Sequence, residues 1–184
     1  MAPVSIRRLE SHEISLHRDL RLCALRDSPD SFAEAATDAA ARPFSYWERL
    51  TLSVTDPDRH VMYLACDGDD VLGSAYGLRA SESSDMARIG GMWVAPLHRR
   101  HGIGRALLES VLSWSHEHGF KRLSLWAPMS NTAALGLYQQ AGFKQTGRRR
   151  PLPTNAVVEV VELELSDLSS SGRIASSAGR RRST

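Results

Sequence analysis

The chain has 184 residues, 42% of them hydrophobic, and a formal net charge of +2. This size and composition suit one compact domain with its own core, and the nearly balanced charge does not indicate a nucleic-acid-binding face. Residues 166–184 hold four arginines against one acid and carry +3 of the charge. Because this Ser-, Gly- and Arg-rich segment has few large apolar residues, we predict a folded domain over 1–165 and a disordered tail over 166–184.

The compartment and the class of ligand are limited by what the sequence lacks. Two cysteines form no disulfide framework, which is typical of a reducing compartment. No apolar run approaches the ~18 residues of a membrane span, and no signal-peptide pattern is evident. We therefore expect a cytoplasmic protein without a membrane or nucleic-acid partner. The seven histidines show no spacing that would bring three ligands to a zinc ion, so no metal site is predicted.

Apolar periodicity and turn residues predict an alternation of strands and helices. In chain order these are a strand over 4–9, a helix that Pro29 ends, a helical region over 31–53 broken near Pro43, strands over 61–66, 71–77 and 88–94, a helix over 103–118, a strand over 121–126, a helix over 131–141, and strands over 143–148 and 156–165. Residues 67–70 suit a hairpin turn, and Ser45 with Glu48 suits a capping box. The order β-α-α-β-β-β-α-β-α-β-β predicts a mixed α/β fold.

The segment 94–108 joins a predicted strand to a predicted helix through a basic turn that contains Gly102 and Gly104. The first turn of a helix has backbone N–H groups without internal partners and a partial positive charge, so it attracts an anion. The two glycines leave this backbone accessible to a phosphate, and a group of arginines surrounds it with positive charge. The arginines are Arg99, Arg100 and Arg105. We interpret the turn as a pyrophosphate-binding site.

Three known kinds of anion-binding turn are candidates for this segment. A P-loop requires Lys followed by Ser or Thr after its second glycine, where Arg105 and Ala106 stand. A dinucleotide fingerprint requires a third glycine, where Leu107 stands. The remaining pattern, Arg/Gln-x-x-Gly-x-Gly/Ala, is met by residues 99–104 and closely resembles the acetyl-CoA-binding motif of the GNAT superfamily of N-acetyltransferases. Alone, the match is also compatible with a glycine-loosened turn that carries solvated arginines.

Residues 131–143 resemble a later motif of the same superfamily, in which a helix begins at an Asn, carries a Tyr near its end and closes with Gly-Phe. The resemblance covers residues 4 to 165. It implies a three-layer fold with a central mixed, largely antiparallel twisted sheet and helices on both faces. It also implies acetyl-CoA as the co-substrate.

Gly90 and Gly91 inside a strand indicate a β-bulge or a close backbone approach. A bulge that only curves the sheet is one alternative. The resemblance implies instead that the bulged strand separates from the next one and binds the pantetheine arm. The residues that the resemblance assigns to acetyl-CoA are Met92, Trp93, Val94, Arg99, Arg100, His101, Gly102, Ile103, Gly104, Arg105 and Asn131. Asn131 also suits a helix N-cap, and the two roles are compatible.

Acetyl transfer to an amine needs a neutral amine, a donor for the oxyanion and an acid for the leaving thiolate. We assign the donor to the backbone N–H of Trp93 or Val94. The resemblance implies that Tyr138 is the general acid, and packing on the inner face of its helix is the alternative. Residues 87–94 hold no carboxylate, so no general base is predicted, and a water relay stays open. The nearby carboxylates, each more typical of a solvated surface charge, are Glu34, Glu48, Glu82 and Asp85.

Acceptor specificity is expected from residues 28–50 and from the connection between the last two strands. The candidate contacts are Phe32, Trp47, Trp126 and Arg150, the last in a basic stretch over 148–153 that we predict to be a rigid loop. The leading hypothesis is acetyl-CoA-dependent N-acetylation of a small-molecule primary amine by direct attack in a ternary complex. Acetylation of a protein N-terminus or lysine, transfer of a longer acyl group, and a non-catalytic CoA-binding module are the alternatives. A homodimer is a family-level expectation.

Overall fold

The computed structural model describes residues 4–56, 59–80, 85–166 and 168. Helices and strands alternate in the predicted order, and the second helical region is divided into two helices. The elements are β1 (Ser5–Arg8), α1 (Ile14–Asp27), α2 (Ala36–Ala40), α3 (Phe44–Val54), β2 (His60–Asp67), β3 (Asp70–Arg79), β4 (Met86–Val94), α4 (Ile103–Glu117), β5 (Arg122–Pro128), α5 (Thr132–Gln140), β6 (Lys144–Leu152) and β7 (Asn155–Leu165). Apart from Ser166 and Leu168, the predicted tail lies outside the described residues.

The strands form one seven-stranded sheet in the order β1-β2-β3-β4-β5-β7-β6. Every neighbouring pair is antiparallel except β4 and β5, which run parallel. A parallel pair needs a crossover connection, which α4 supplies. The mixed, largely antiparallel sheet expected from the sequence is therefore confirmed.

Each face of the sheet is covered by its own apolar cluster. On one face Leu107, Val111 and Trp114, which recur at helical spacing along α4, are fully buried against the sheet. On the other face the cluster includes Leu25 of α1 and Leu64 of β2. The two clusters make a helix–sheet–helix sandwich with three layers.

Two local predictions are corrected by the structure. The capping box at Ser45 does not form, because α3 begins at Phe44 after the extended Pro43, whose φ is −66° and ψ is 157°, and no side chain caps it. The stretch 148–153 is not a loop, since β6 continues to Leu152 and Pro151 pairs with Glu159 of β7. Pro151 fits there because β6 is the edge of the sheet, where a missing N–H is tolerated.

His17 on α1 is buried, with Nδ1 2.9 Å from the hydroxyl oxygen of Thr51 on α3. Burial, with a smaller contribution from the charge of Arg21, lowers the pKa of His17 to about 4. The neutral ring is thus the folded form, and the unfolded chain takes up a proton more readily between pH 6.5 and 4. Stability from this group is fully present above pH 6.5 and is lost as the pH falls toward 4.

His17→Gln is expected to flatten the pH dependence of stability in the acid range. From pH 7 to pH 5 the wild type loses roughly 2 kcal/mol through protonation of His17 in the unfolded chain, and the variant lacks this loss. Denaturant unfolding at several pH values measures the difference. Parallel stability curves for the two proteins would contradict the buried, neutral state of His17.

Candidate functional site

A gap opens between β4 and β5 in the middle of the sheet. The two strands pair only from Met86 with Arg122 to Arg88 with Ser124, and beyond this register residues 89–94 and 125–128 face each other without a ladder. The gap is a cleft of about 250 Å³. A ligand with an extended backbone-like chain can therefore lie between the two strands.

The backbone of β4 bulges at Gly90 and Gly91, as the sequence predicts. Ser74 pairs with Trp93 whereas Tyr76 pairs with Gly90, so β4 holds one residue more than β3 here. Gly91 has a φ of 58°, and a Cβ at Gly90 would lie 2.3 Å from the hydroxyl oxygen of Tyr76. The bulge thus needs glycine for both conformation and space.

The strand presents the backbone of Val94 to the gap. Ala95 donates its N–H to the carbonyl of Leu72 on β3 at 2.8 Å, and Trp93, two residues earlier, faces β3 in the same way. Val94 faces the other side, and its carbonyl accepts from Nε of Arg99 at 2.9 Å. Of the two N–H groups considered as oxyanion donors, the geometry favours Val94.

Helix α4 begins with an open N-terminus directly after the turn. Gly102 is the N-cap, with a φ of 83°, and no side chain caps the helix. The first helical bond runs from Ala106 N–H to Gly102 O, so the N–H groups of Ile103, Gly104 and Arg105 have no acceptor among the described residues. A Cβ at Gly102 would meet nothing within 4 Å. These donors and the open space in front of them fit the predicted diphosphate.

The arginines around the turn are not equivalent. Arg99 pairs with Asp27, and Arg105 pairs with Glu109 at 2.8 Å. Arg100, with a φ of 66°, makes no hydrogen bond or ion pair with another residue that the structure describes. The positive charge predicted around the turn is therefore partly neutralised, and Arg100 is the guanidinium that stays available for an anion.

Asp27, at the end of α1, is a site residue that sequence reasoning missed. Its Oδ2 accepts from the indole N–H of Trp93 at 2.8 Å and from the hydroxyl of Ser28 at 2.7 Å, and it also binds Arg99. Burial alone raises the pKa of Asp27, but these hydrogen bonds and the Arg99 charge outweigh it and lower the pKa. One carboxylate thus connects α1, the bulged strand and the anion-binding turn.

Asp27→Asn is expected to raise the KM for the predicted co-substrate, acetyl-CoA, by up to about five-fold with little change in kcat. Asn still accepts from Trp93, but it cannot pair with the Arg99 charge, and a half-exposed ion pair contributes up to about 1 kcal/mol. Steady-state kinetics measures both constants, with Asp38→Asn on α2 as the control. A fall in kcat at constant KM would contradict this positioning role.

Tyr138 and Asn131 of the second motif both line the cleft. Asn131 caps α5, since its Oδ1 accepts from Ala134 N–H at 3.1 Å, which confirms the N-cap prediction. Tyr138 is buried beside Phe143, with 5.9 Å between ring centroids, and its hydroxyl makes no hydrogen bond with any described residue. Burial raises the pKa of Tyr138, so the hydroxyl is a proton donor at neutral pH. Of the other residues assigned to the cofactor, Met92 lines the cleft and His101 is exposed beside the turn.

Three of the four predicted acceptor contacts lie together. Phe32 and Trp126 line the cleft, and Cζ of Arg150 lies 4.2 Å from the ring centroid of Trp126. The fourth residue, Trp47, is fully buried in the cluster beneath α1 and α3 and does not line the cleft. The prediction that Trp47 contacts the acceptor is corrected, because the packing of α3 on the sheet places this ring in the core.

The connection between β6 and β7 closes over the segment that follows α1. Thr154 donates its hydroxyl to the carbonyl of Phe32 at 2.9 Å, and Nδ2 of Asn155 donates to Oδ1 of Asp30 at 3.0 Å. The sequence analysis named these two regions separately as sources of specificity. The structure joins them at one mouth of the cleft, on the α1 side of the sheet.

A second cavity of about 300 Å³ lies under α1 and α3, on the other side of the bulge. Its lining includes Arg21 and Glu34, which pair at 3.2 Å, and Tyr76, whose pKa is raised by burial. Sequence reasoning missed Tyr76, although the Gly90–Gly91 pair signals that a large side chain of a neighbouring strand needs space. Glu82, one of the carboxylates weighed as a base, lies outside the described residues.

In the part of the chain that the structure describes, no group of three or more His, Cys, Asp and Glu side chains is placed to hold a metal ion. No helix in these segments has the length and apolar character to cross a membrane. Cys23 is exposed and Cys66 is buried, and both are free thiols.

Comparison with known proteins defines the class. The model of the acetyltransferase (GNAT) family matches residues 19–143, so the chain belongs to the GNAT family of acetyltransferases. It is 32% identical over 120 residues to an aminoglycoside N(6')-acetyltransferase type 1 of Stenotrophomonas maltophilia, covering 59% of this chain and 78% of that one. The match to rat N-acetyltransferase family 8 member 3 is 46% identical over 50 residues but spans 27% of this chain and only 22% of that protein.

Further relatives differ in substrate. The [ribosomal protein bS18]-alanine N-acetyltransferase of Escherichia coli K12 is 39% identical over 71 residues, which are 38% of this chain and 48% of that enzyme. Spermidine N-acetyltransferase of Vibrio cholerae, solved with CoA and spermine, has a TM-score of 0.72 at 17% identity, covering 91% of this chain and 97% of that one. The Salmonella typhimurium protein yncA, solved with its cofactor acetyl-CoA, has a TM-score of 0.70 at 16% identity, covering 90% and 94%. At these identities the solved structures establish the fold alone.

Proposed function

We propose that this chain transfers the acetyl group of acetyl-CoA to the primary amine of a small molecule by direct attack in a ternary complex. The observation that carries the proposal is the cleft between β4 and β5. Its lining runs from Arg99, in the turn that precedes α4, to a mouth lined by Phe32 and Trp126. Donor and acceptor can thus enter from opposite faces of the sheet and meet at the bulge.

Acetyl-CoA, when bound, supplies an activated thioester. The N–H groups of Ile103, Gly104 and Arg105 bind its diphosphate, and Arg100 adds a positive charge. The backbone of β4 between Gly91 and Val94 hydrogen-bonds the pantetheine arm as an added strand would. The N–H of Val94 stabilises the oxyanion, a contribution that is typically about 3 kcal/mol.

Tyr138 donates a proton to the sulfur as the C–S bond breaks and the new C–N bond forms. The hydroxyl is protonated at neutral pH, as a general acid must be, although burial raises its pKa and makes it a weaker acid than an ordinary tyrosine. The ammonium form of the acceptor loses one proton to water before it attacks, because the described cleft lining contains no Asp or Glu. The second proton, which the nitrogen loses as the amide forms, returns Tyr138 to its phenol form. No side chain of the described site is therefore assigned as the general base.

The small-molecule acceptor is supported by the relative named for aminoglycosides. The E. coli relative named for an alanine of ribosomal protein bS18 supports a second candidate, acetylation of a protein at its N-terminus or at a lysine. A non-catalytic CoA-binding module is the third. The cytoplasmic location, the domain boundary at 165 and a homodimer stay predictions.

Two measurements test the proposal. Acetyl-CoA at ~100 times its dissociation constant should stabilise the protein by about 2.7 kcal/mol, seen as a rise in Tm. Release of the CoA thiol in the presence of an amine panel and of short peptides then identifies the acceptor. Absence of a thermal shift would overturn CoA binding, and a shift without turnover on any amine or peptide would favour the binding module.

A further inference from the structure

Arg150 on β6 reaches across the sheet to the acceptor mouth of the cleft. Its guanidinium carbon lies 4.2 Å from the ring centroid of Trp126 on β5, and the Trp126 ring lines the cleft. In the strand register Arg150 lies opposite Val160 of β7, and Trp126 lies opposite Glu162 of β7. Residues 160 and 162 are two apart, so their side chains, and those of Arg150 and Trp126, lie on the same face of the sheet. Arg150 is therefore a surface residue of the mouth on the α1 side.

Arg150 differs from its two neighbouring arginines in how its charge is paired. Arg148 pairs with Glu162 at 3.4 Å, and Arg149 pairs with Glu159 at 3.3 Å on the opposite face. Arg150 has no carboxylate partner among the residues that the structure describes, and its contact with Trp126 leaves the charge uncompensated. One guanidinium at the mouth is thus available for an anion.

The rest of the mouth offers little to a cationic acceptor. The described residues that line the cleft include no Asp or Glu. Asp27 is bound by Arg99 and Trp93, and Asp30, at the edge, accepts from Asn155. An acceptor with several ammonium groups would meet an unpaired arginine without a free carboxylate to hold it.

We propose that the acceptor carries a carboxylate or phosphate group a few bonds from its amine, and that Arg150 binds this group. This inference rests on the proposed function and names its substrate class. A planar guanidinium fixed on an aromatic ring suits bidentate binding of an oxyanion, and such charge-assisted bonds are the stronger kind. The same contact points the amine into the cleft toward the bulge of β4.

Binding of the acceptor's anion to Arg150 also favours the neutral, reactive form of the acceptor's amine. An acceptor's own anion holds its ammonium group protonated, and Arg150 cancels that effect when it binds the anion. The neighbouring charges are held in the pairs Arg148–Glu162, Arg149–Glu159 and Asp27–Arg99, so Arg150 is the guanidinium without a carboxylate partner among the residues that the structure describes at this mouth. The amine pKa in the complex is therefore lowered without a basic side chain in the cleft.

A matched series of short amines tests the class. With acetyl-CoA saturating, kcat/KM is measured for β-alanine, O-phosphoethanolamine, n-propylamine and 1,3-diaminopropane, and each value is divided by the fraction of neutral amine at the assay pH. The two anionic amines should exceed propylamine by about 10-fold or more, the range expected of a hydrogen bond to a charged group, and the diamine should be poorest. The ratio of β-alanine to O-phosphoethanolamine distinguishes a carboxylate from a phosphate ligand.

Variants then assign the preference to Arg150. Arg150→Gln should lower kcat/KM for the anionic amines by about 10-fold and change propylamine less than two-fold, while Arg150→Lys restores part of the loss. In Arg150→Gln the acid limb of the kcat–pH profile should move to higher pH, because kcat reports the amine pKa in the complex. Arg149→Gln removes the same charge from the opposite face and should behave as wild type.

The outcomes separate this inference from the proposed function. A preference for the diamine, or an equal loss on all amines in Arg150→Gln, would overturn the inference and leave acetyl transfer intact. Absence of turnover with every amine, despite a thermal shift with acetyl-CoA, would overturn both. Unchanged Tm values in the variants show that the fold is retained, as expected for an exposed side chain.

Discussion

Gly104→Asp is expected to abolish acetyl-CoA binding while leaving the fold intact. Gly104 lies in the first turn of α4, where its N–H is free, and a Cβ there would be 3.5 Å from Leu137. The new carboxylate would occupy the space of the diphosphate and repel it. We expect affinity to fall by at least about 100-fold, or about 2.7 kcal/mol, measured by calorimetric titration.

The same substitution should not destabilise the free protein. A carboxylate near a helix N-terminus is favourable by about 0.3–1 kcal/mol, and removal of a helical glycine adds to that. Ser113→Asp places the same charge on the exposed side of α4, away from its N-terminus, and is the control. Unchanged acetyl-CoA affinity in Gly104→Asp would place the diphosphate elsewhere and overturn the assigned site.

Tyr138→Phe is expected to lower kcat by about 100-fold or more, the usual contribution of a general acid. The hydroxyl makes no hydrogen bond with a described residue, and Phe retains the edge contact with Phe143. The KM for acetyl-CoA and the free energy of unfolding should therefore change little. Because burial raises the Tyr138 pKa, this group should give no deprotonation limb below pH 10 in the wild-type profile.

Tyr63→Phe on β2 is the matched control, since it removes a phenol hydroxyl outside the cleft lining. It should retain wild-type kcat. If Tyr138→Phe retains it as well, Tyr138 serves only in packing, and the leaving thiolate takes its proton from water.

Patterns that are local in sequence were predicted well. The Gly90–Gly91 pair predicted the bulge, because only glycine permits both a φ of 58° and the Tyr76 ring against the strand. Gly102 and Gly104 predicted an open helix N-terminus, and Asn131 predicted the cap of α5. In each case the backbone geometry is decided within a few neighbouring residues.

Contacts between distant segments were not predictable in the same way. Asp27 meets Trp93 across 66 positions of the chain, and nothing in its local pattern separates it from a solvated acid at a helix end. Trp47 shows the converse error, because an aromatic side chain on an amphipathic helix is equally compatible with a pocket wall and with the core. The stacking of Arg150 on Trp126 depends on the strand order β5-β7-β6, which a single sequence does not reveal.

The short ladder between β4 and β5 has a mechanical consequence. Among the described residues the β4–β5 ladder has three residue pairs, extended by bonds from the N–H groups of Lys121 and Arg122 to the carbonyl of Asp85. The α4 cluster and the contacts of the β6–β7 connection with the segment after α1 add side-chain cohesion between β1–β4 and β5–β7. A bound pantetheine arm would bridge the two half-sheets as a removable eighth strand. The acetyl donor would then also serve, for as long as it is held, as a structural brace between the two parts of the sheet.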